Sequence, residues 1–386
     1  MTNDREEYLK MKQVTLIATA AMGLESIVAK EVRDLGYEAT VENGKVIFDA
    51  PISAIPRCNL WLRTADRVKI LVGKFQAKTF DELFEQTKAF PWESYIDETG
   101  QIPVSGKSVK STLYSVPDCQ AIVKKAIVER MKLKYGLINK LEESGALYKT
   151  EIALLKDEAT LTIDTSGTGL HKRGYRVGQG EAPLKETLAA ALVQLTNWKP
   201  DQPLIDPFCG SGTILIEAAL IGQNIAPGFN REFASEEWSF VKQKHWDAAF
   251  GEAEEVANYD QPLFITGSDI SHQLIETAQA NALEAGLGDL IEWKQMQVSD
   301  LTIKQKDGYL ITNPPYGERL SDREEVEKMY QDLGTIMRHH PSWSAYIITA
   351  YEQFEKVFGK PATKKRKLFN GFIQTNYYQY FGQKED

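Results

Sequence analysis

Pro314 and Pro315 fix one point of the fold before anything else is known. The apolar run Tyr309-Leu310-Ile311-Thr312 reads as a buried strand, and two consecutive prolines after Asn313 cannot donate to a sheet, so the strand must end there. The residues Asn313-Pro314-Pro315-Tyr316, with Gly317 behind them, then make a rigid loop at a strand's carboxyl end. The loop offers one amide side chain, carbonyls that no helix claims, and one aromatic face. That set suits a planar group carrying an exocyclic amine. The Asn313 oxygen and a backbone carbonyl accept its two N–H bonds while the Tyr316 ring stacks on the base. The tetrapeptide alone describes a proline-bearing turn equally well, so the surrounding chain has to decide.

Around that loop the pattern alternates regularly. Leu204-Ile205 reads as a strand running into Asp206-Pro207-Phe208-Cys209-Gly210-Ser211-Gly212, followed by a helix from Thr213 to Ile221. A second strand, Leu263 to Thr266, ends at Gly267-Ser268-Asp269, and Ser271 caps a helix that runs to Gly286. A third strand covers Leu290 to Met296, and the fourth ends at Asn313. Ser321 with Glu324 reads as a capping box for a helix carrying Val326, Met329, Tyr330, Leu333 and Met337, and a strand from Ala345 to Thr349 comes next. Near the end, Lys365 to Phe369 and Phe372 to Phe381 flank Asn370-Gly371, the strongest short hairpin signal. This order predicts a Rossmann-like α/β domain over residues 183–386, its mostly parallel sheet closed by an antiparallel C-terminal hairpin. Residues 224–260 interrupt the rhythm and read as an insertion packed on that sheet, anchored by Phe229, Phe233, Trp238, Phe240, Trp246 and Phe250.

The first 165 residues mix strands and helices without strict alternation, which predicts an α+β region. Strands are expected at Val14 to Ala18, Val46 to Phe48, Val68 to Val72, Thr150 to Leu155 and Ala159 to Ile163. Helices are expected at Gly23 to Leu35, Ile52 to Leu62, Asp81 to Phe90 and Asp118 to Tyr135, with a Gly/Ser/Pro-rich patch before the last of these. Residues 166–182, rich in glycine and basic side chains, read as a linker, and a helix starts at Pro183.

The net charge of −9 argues against a uniformly basic surface, but charge is unevenly distributed. Lys107, Lys110, Lys124, Lys125, Lys132 and Lys134 cluster on and before one helix. His171, Lys172, Arg173 and Arg176 lie in the linker, and Lys364-Lys365-Arg366-Lys367 near the end. Three such runs in an acidic chain suggest a local nucleic-acid footprint. No run of eighteen apolar residues exists, and the polar amino terminus has no signal-peptide core, so a cytoplasmic location is expected. Three cysteines and five scattered histidines give neither a disulfide framework nor a metal site.

In an open α/β sheet, ligands sit outside the carboxyl ends of the strands. The loop Asp206 to Thr213 puts Gly210 and Gly212 directly before a helix amino terminus. A dinucleotide fingerprint needs a third glycine where Leu215 stands, and a Walker loop needs Gly-Lys-Ser/Thr, which is absent. Asp269 stands where such folds hold ribose hydroxyls, and the Gln297 to Asp300 loop can read an adenine edge. Together with Asn313 to Tyr316 these loops describe a nucleoside-bearing cofactor beside an amine acceptor.

With these loops in place, the chain resembles a known group. Asp206-Pro-Phe-Cys-Gly-Ser-Gly-Thr213, Asp269 and Asn313-Pro-Pro-Tyr316 look like the motifs of class I S-adenosylmethionine methyltransferases that act on amines. Leu170-His-Lys-Arg-Gly-Tyr-Arg176 and Ala182-Pro-Leu-Lys-Glu-Thr187 are similar to the segment joining a THUMP domain to such an enzyme. The chain is most similar to the bacterial RlmL and YpsC type, which methylates guanine N2 in large-subunit ribosomal RNA.

The resemblance implies a ferredoxin-like segment over residues 1–65, a THUMP RNA-binding domain over 66–165, S-adenosylmethionine as cofactor and large-subunit ribosomal RNA as partner. It implies that Asp206, Pro207, Cys209, Gly210, Ser211, Gly212 and Thr213 hold the methionine moiety, Asp269 the ribose and Gln297 the adenine amine. It further implies that Leu184 and Lys185 close over the cofactor, that Asn313 also touches the cofactor, and that Asn313, Pro314, Pro315 and Tyr316 clamp the base. Some members carry a second methyltransferase domain, which this sequence lacks, so one kind of methylation is expected. Cys209 lies in the cofactor loop, and Tyr316 stands where a catalytic cysteine would follow Pro-Pro, so no covalent intermediate is expected. An adenine-N6 or transfer-RNA guanine-N2 methyltransferase, or a non-catalytic RNA-binding assembly factor, are the alternatives.

Overall fold

Apolar side chains alternate with polar ones along Gln13–Ala20, and the segment forms strand β1 with every second residue buried at its start. A computed structural model of the chain describes residues 13–138, 140–177, 184–317 and 322–383. After β1 come α1 (Glu25–Asp34), β2 (Thr40–Glu42), β3 (Lys45–Pro51), α2 (Ala54–Trp61), β4 (Ala65–Gln76), α3 (Phe80–Ala89), β5 (Val104–Val109), α4 (Val116–Tyr135), β6 (Thr150–Leu155) and β7 (Glu158–Asp164). The strands make one sheet in the order β2-β3-β1-β4-β7-β6-β5, antiparallel except where β5 runs parallel to β6. An α+β region is therefore what forms. Thr79 starts α3 with a full capping box, and Gly136, at φ 66°, ends α4 in the left-handed region.

The later elements are α5 (Glu186–Gln194), β8 (Leu204–Asp206), α6 (Thr213–Gly222), α7 (Gln243–Val256), β9 (Ile265–Asp269), α8 (His272–Glu284), β10 (Ile291–Gln295), β11 (Tyr309–Thr312), α9 (Arg323–His339), β12 (Ser344–Thr349), α10 (Phe354–Phe358), β13 (Lys364–Asn370) and β14 (Ile373–Tyr380). Their strands form a second sheet, β10-β9-β8-β11-β12-β14-β13. The first five strands of that order are mutually parallel, and β14 and β13 close the edge antiparallel. The strand order reverses between β8 and β11, so the loops that leave these two strands flank the switch point where such sheets bind ligands. Leu310, Ile311 and Thr312 are wholly buried, as a central parallel strand requires. Ser271 caps α8 by accepting from the Leu274 N–H, while Pro183 and Ser321 lie outside the described residues.

The chain divides into two compact units, one made of the described residues of 1–20, 28–170 and 232–252, the other of 21–27, 171–231 and 253–386. For residues 232–252 this corrects the expectation that the inserted segment 224–260 packs on the parallel sheet; its two ends, 224–231 and 253–260, stay with the unit that holds that sheet. Trp238 stacks on Tyr148 with centroids 4.9 Å apart, and its indole N–H donates to the Leu147 carbonyl at 3.0 Å. Phe240 packs edge-on against Tyr95, Ser235 donates to the Thr165 carbonyl at 2.9 Å, and Arg57 forks onto Glu252. Phe233, Trp238, Phe240, Trp246 and Phe250 are anchors, but their core is the amino-terminal one, while Phe229 stays with the other unit; an indole buries best where a flat apolar face and a spare carbonyl are both offered.

The hairpin forms with its register one residue away from expectation. Asn370 pairs with Ile373, so the two loop residues are Gly371 and Phe372, not Asn370 and Gly371. Gly371 takes φ 62° while Phe372 stays out of the positive region, the pattern of a Gly-X loop.

Candidate active site

β8 delivers Asp206 to the switch point, and β11 delivers Thr312 beside it. The Thr312 hydroxyl donates to Asp206 Oδ1 at 2.5 Å, and the Phe208 N–H donates to the same oxygen at 3.1 Å. Both Asp206 and Thr312 are buried. Burial pushes the Asp206 carboxyl up to about 7, against the two hydrogen bonds that pull it down, with nearby Asp269 adding to the rise. Asn313 follows Thr312 directly, so the amide loop and the aspartate loop leave neighbouring parallel strands side by side.

The glycine loop turns tightly here. Gly210 and Gly212 take φ 53° and 84°, which only glycine adopts readily. A Cβ on Gly212 would come within 2.6 Å of the Trp293 ring, so that position is fixed by packing; a Cβ on Gly210 would meet nothing within 4 Å, so the backbone there faces open space. Gly212 stands at the N-cap of α6 and has no side chain with which to cap its first turn, a helix amino terminus of the kind that receives carboxylates. Asp269 closes the loop from β9: its Oδ2 accepts from the Gly210 N–H at 3.1 Å and its Oδ1 from the Ser271 N–H at 2.9 Å. A carboxylate has lone pairs beyond those two bonds, which suits ribose hydroxyls. Gln297 is exposed just past β10, the neighbour of β9. Burial, reinforced by Asp206 and Asp269, pushes the Cys209 thiol far up, so it is no nucleophile.

At the amide loop, the Tyr316 hydroxyl donates to Asn313 Oδ1 at 2.7 Å, and Asn370 Nδ2 donates to the Tyr316 oxygen at 3.3 Å. Tyr330 of α9 donates to the Pro315 carbonyl at 2.6 Å and meets Thr349 at 2.9 Å, which ties the second proline to the sheet. Asn313 and Tyr316 are half-buried, Pro314 is buried and Pro315 exposed.

Two residues expected to bind RNA serve other ends. Arg173 is 3% exposed and pairs with Glu217, itself fully buried, at 3.3 Å; Tyr175 donates to the same carboxylate at 3.1 Å. A guanidinium in that position is a structural ion, not a phosphate contact. Arg176 braces the glycine loop instead: it pairs with Glu186 at 2.9 Å, donates to the hydroxyls of Ser211 and Thr213 at 3.3 and 3.2 Å, and to the Leu184 carbonyl at 3.2 Å. Leu184 is buried and Lys185 is the exposed residue before α5. Lys124 is engaged too, donating to the Ile102 carbonyl and to Glu143. Lys107, Lys110, Lys125, Lys134 and Lys172 are exposed, and Lys132 and His171 half-exposed.

Sequence reasoning missed Thr312, Asn281 and Tyr330. Asn281 bridges the site, donating to the Ser211 carbonyl at 3.0 Å and accepting from the Val177 N–H at 2.9 Å. A fully buried asparagine among the alanines of α8 was the available signal, since a buried amide must find partners.

Three family models match the chain: the RlmL ferredoxin-like domain over residues 15–69, the THUMP domain over 77–164, and the RMKL-like methyltransferase domain over 173–379. The putative RNA methyltransferase YpsC of Bacillus subtilis is 64% identical over 97% of either chain. The ribosomal RNA large subunit methyltransferase K/L of Syntrophotalea carbinolica is 33% identical over 94% of this chain and 52% of its own, so this chain spans about half of that relative. Among solved structures, a predicted N6-adenine-specific DNA methylase from Listeria monocytogenes is 62% identical with TM-score 0.94, covering 98% of either chain. SMU.472, a putative methyltransferase solved with S-adenosylhomocysteine, is 48% identical with TM-score 0.94, and the match covers 97% of this chain and all of that one.

Proposed function

This chain belongs to the RMKL-like methyltransferase family, and from that premise we propose that it methylates the exocyclic N2 amine of a guanine in large-subunit ribosomal RNA. The cofactor is S-adenosylmethionine, which when bound supplies an electrophilic methyl on sulfonium sulfur. The observation that carries the reading is the 2.5 Å bond from Thr312 to Asp206, which couples the strand ending in the amide loop to the strand ending in the glycine loop.

The amine of guanine is a poor nucleophile because its lone pair is delocalised into the ring. Asn313 Oδ1 and the Pro314 carbonyl accept its two N–H bonds, turn the nitrogen toward tetrahedral geometry and stabilise the positive charge that grows on it. Oδ1 has two lone pairs, and the Tyr316 hydroxyl takes one, which fixes the amide and leaves the other for the substrate. With S-adenosylmethionine bound, the amine would take the methyl as the sulfonium carbon–sulfur bond broke, leaving a neutral thioether, and the N–H proton shed by the charged nitrogen would pass to solvent beside half-buried Asn313. Placing amine and methyl in line supplies much of the rate. The exposed lysines of α4, with Lys107 and Lys110, bind phosphates and so position the RNA without reading its sequence.

Labelled methyl transfer to large-subunit RNA from a strain lacking the enzyme, followed by nucleoside analysis, tests this: N2-methylguanosine is expected. The second reading is adenine N6, supported by the description of the Listeria neighbour, and N6-methyladenosine as product would establish it instead.

A further inference from the structure

The hairpin that closes the sheet sends its turn to the acceptor loop. Asn370, the last residue of β13, donates to the Tyr316 hydroxyl at 3.3 Å, and Tyr316 in turn holds Asn313. Because Asn370 pairs with Ile373, the next two residues form the loop, and Phe372 is thrown clear of the strand alternation. Phe372 is 105% exposed as a residue, the most of any large apolar residue described, and a Cβ on Gly371 beside it would meet nothing within 4 Å. Among the described residues, a bare phenyl ring two residues from a hydrogen bond into the clamp has no packing role. Lys367, exposed on the same strand, sits 5.6 Å over the Phe369 ring and adds a cation near the turn.

We infer that Phe372 is a nucleobase-stacking residue: it stacks on a base next to the methylated one, and so holds the target strand open while the target base enters the clamp. A base can enter a loop-lined clamp only out of its stack, and the neighbour it leaves exposes a π face that a solvent-facing phenyl ring matches. The partner this fits is single-stranded or locally opened RNA, with Lys367 beside a phosphate. The inference rests on the reading of Asn313 as the amine acceptor.

The full chain and large-subunit RNA from a strain lacking the enzyme make the test. Phe372→Ala is expected to lower kcat/KM for RNA about five- to a hundredfold, the cost of losing one base–aromatic stack, with cofactor affinity and melting temperature unchanged. Phe372→Trp is expected to restore activity and Phe372→Leu is not, because leucine is apolar but has no π face. Wild-type kinetics from Phe372→Ala overturns the inference. So does full restoration by Phe372→Leu, which would mark an apolar contact with a protein instead. If the wild-type chain methylates no RNA, the reading of the clamp falls, and photo-cross-linking decides the hairpin separately. With p-azidophenylalanine replacing Phe372, an RNA adduct upholds the stacking role and its absence overturns it.

Discussion

The hydroxyl of Tyr316 donates to Oδ1 of Asn313 across 2.7 Å, and the direction of that bond is set by a third residue. Tyr316 oxygen already accepts from Asn370, so its single proton goes to Asn313, and the amide oxygen must face the tyrosine. The aromatic ring expected to stack on the substrate thus also orients the group proposed to accept the amine.

Asn313→Ala removes the acceptor and is expected to cut kcat by at least about a hundredfold while S-adenosylmethionine affinity, measured by calorimetry, stays within about twofold. Tyr316→Phe keeps the ring and loses only the orienting bond, so a fall of about three- to tenfold in kcat with little change in KM is expected. Equal loss of cofactor binding in Asn313→Ala would make the residue structural.

Asp206 links stability to pH. Its carboxyl rises from 3.8 to about 7 on folding because it is buried, so the folded chain holds its proton more tightly than the unfolded one. That contribution is complete below about pH 4 and is lost as pH rises through about 7. Asp206→Asn has no proton to lose. Its stability relative to wild type, without cofactor, is expected to grow from about pH 4 upward and level off above about 7, on the order of 2–4 kcal/mol. Denaturant melts of both proteins across that range check it; a difference independent of pH would contradict it. Cofactor affinity of the variant should fall by roughly tenfold or more.

Arg173 distinguishes charge from function. Arg173→Ala strands the fully buried Glu217 carboxylate and is expected to cost on the order of 3–5 kcal/mol of stability, read as a lowered melting temperature. The double change Arg173→Met with Glu217→Leu should recover most of it. RNA affinity of the folded fraction is expected to be unchanged, and a loss of affinity without loss of stability would return Arg173 to the RNA footprint.

For the amino-terminal half, reversing Lys107, Lys110, Lys132 and Lys134 to Glu should weaken RNA binding and flatten its dependence on salt. Lys124 is a poor choice for this set because its bonds to Ile102 and Glu143 make its loss a folding defect. Filter binding from low to moderate salt reads the slope, and an unchanged slope would remove α4 from the footprint.

The parallel sheet was legible because glycine, proline and capping signals punctuate short apolar runs, and strand β11 lies on the residues expected for it. The features that stayed hidden depend on distance in the chain. β5, Val104-Ser-Gly-Lys-Ser-Val109, looks like a loop by composition, yet Gly106 is there because a side chain would press to 3.1 Å on Gln120 and 3.2 Å on Ile152. Arg173 and Arg176 look like surface charge because their carboxylates lie 44 and 10 residues away, and nothing local announces them. The hairpin turn was found but its register was not, since pairing across the strands outweighed the preference of Asn-Gly for the loop centre.

Trp238 on Tyr148 carries a consequence for how this chain is made. A ribosome releases residues in order, yet the amino-terminal unit needs residues 232–252 to finish its core. That unit stays incomplete until β8 and α6 have already emerged, so the usual sequence of one domain folding before the next begins does not apply. A fragment cut at residue 170 would bare the ring of Tyr148 and the Thr165 carbonyl that Ser235 satisfies, and would be prone to aggregate. Supplying the 232–252 segment in trans, or grafting it by a short linker after β7, is the way to obtain the RNA-binding half alone.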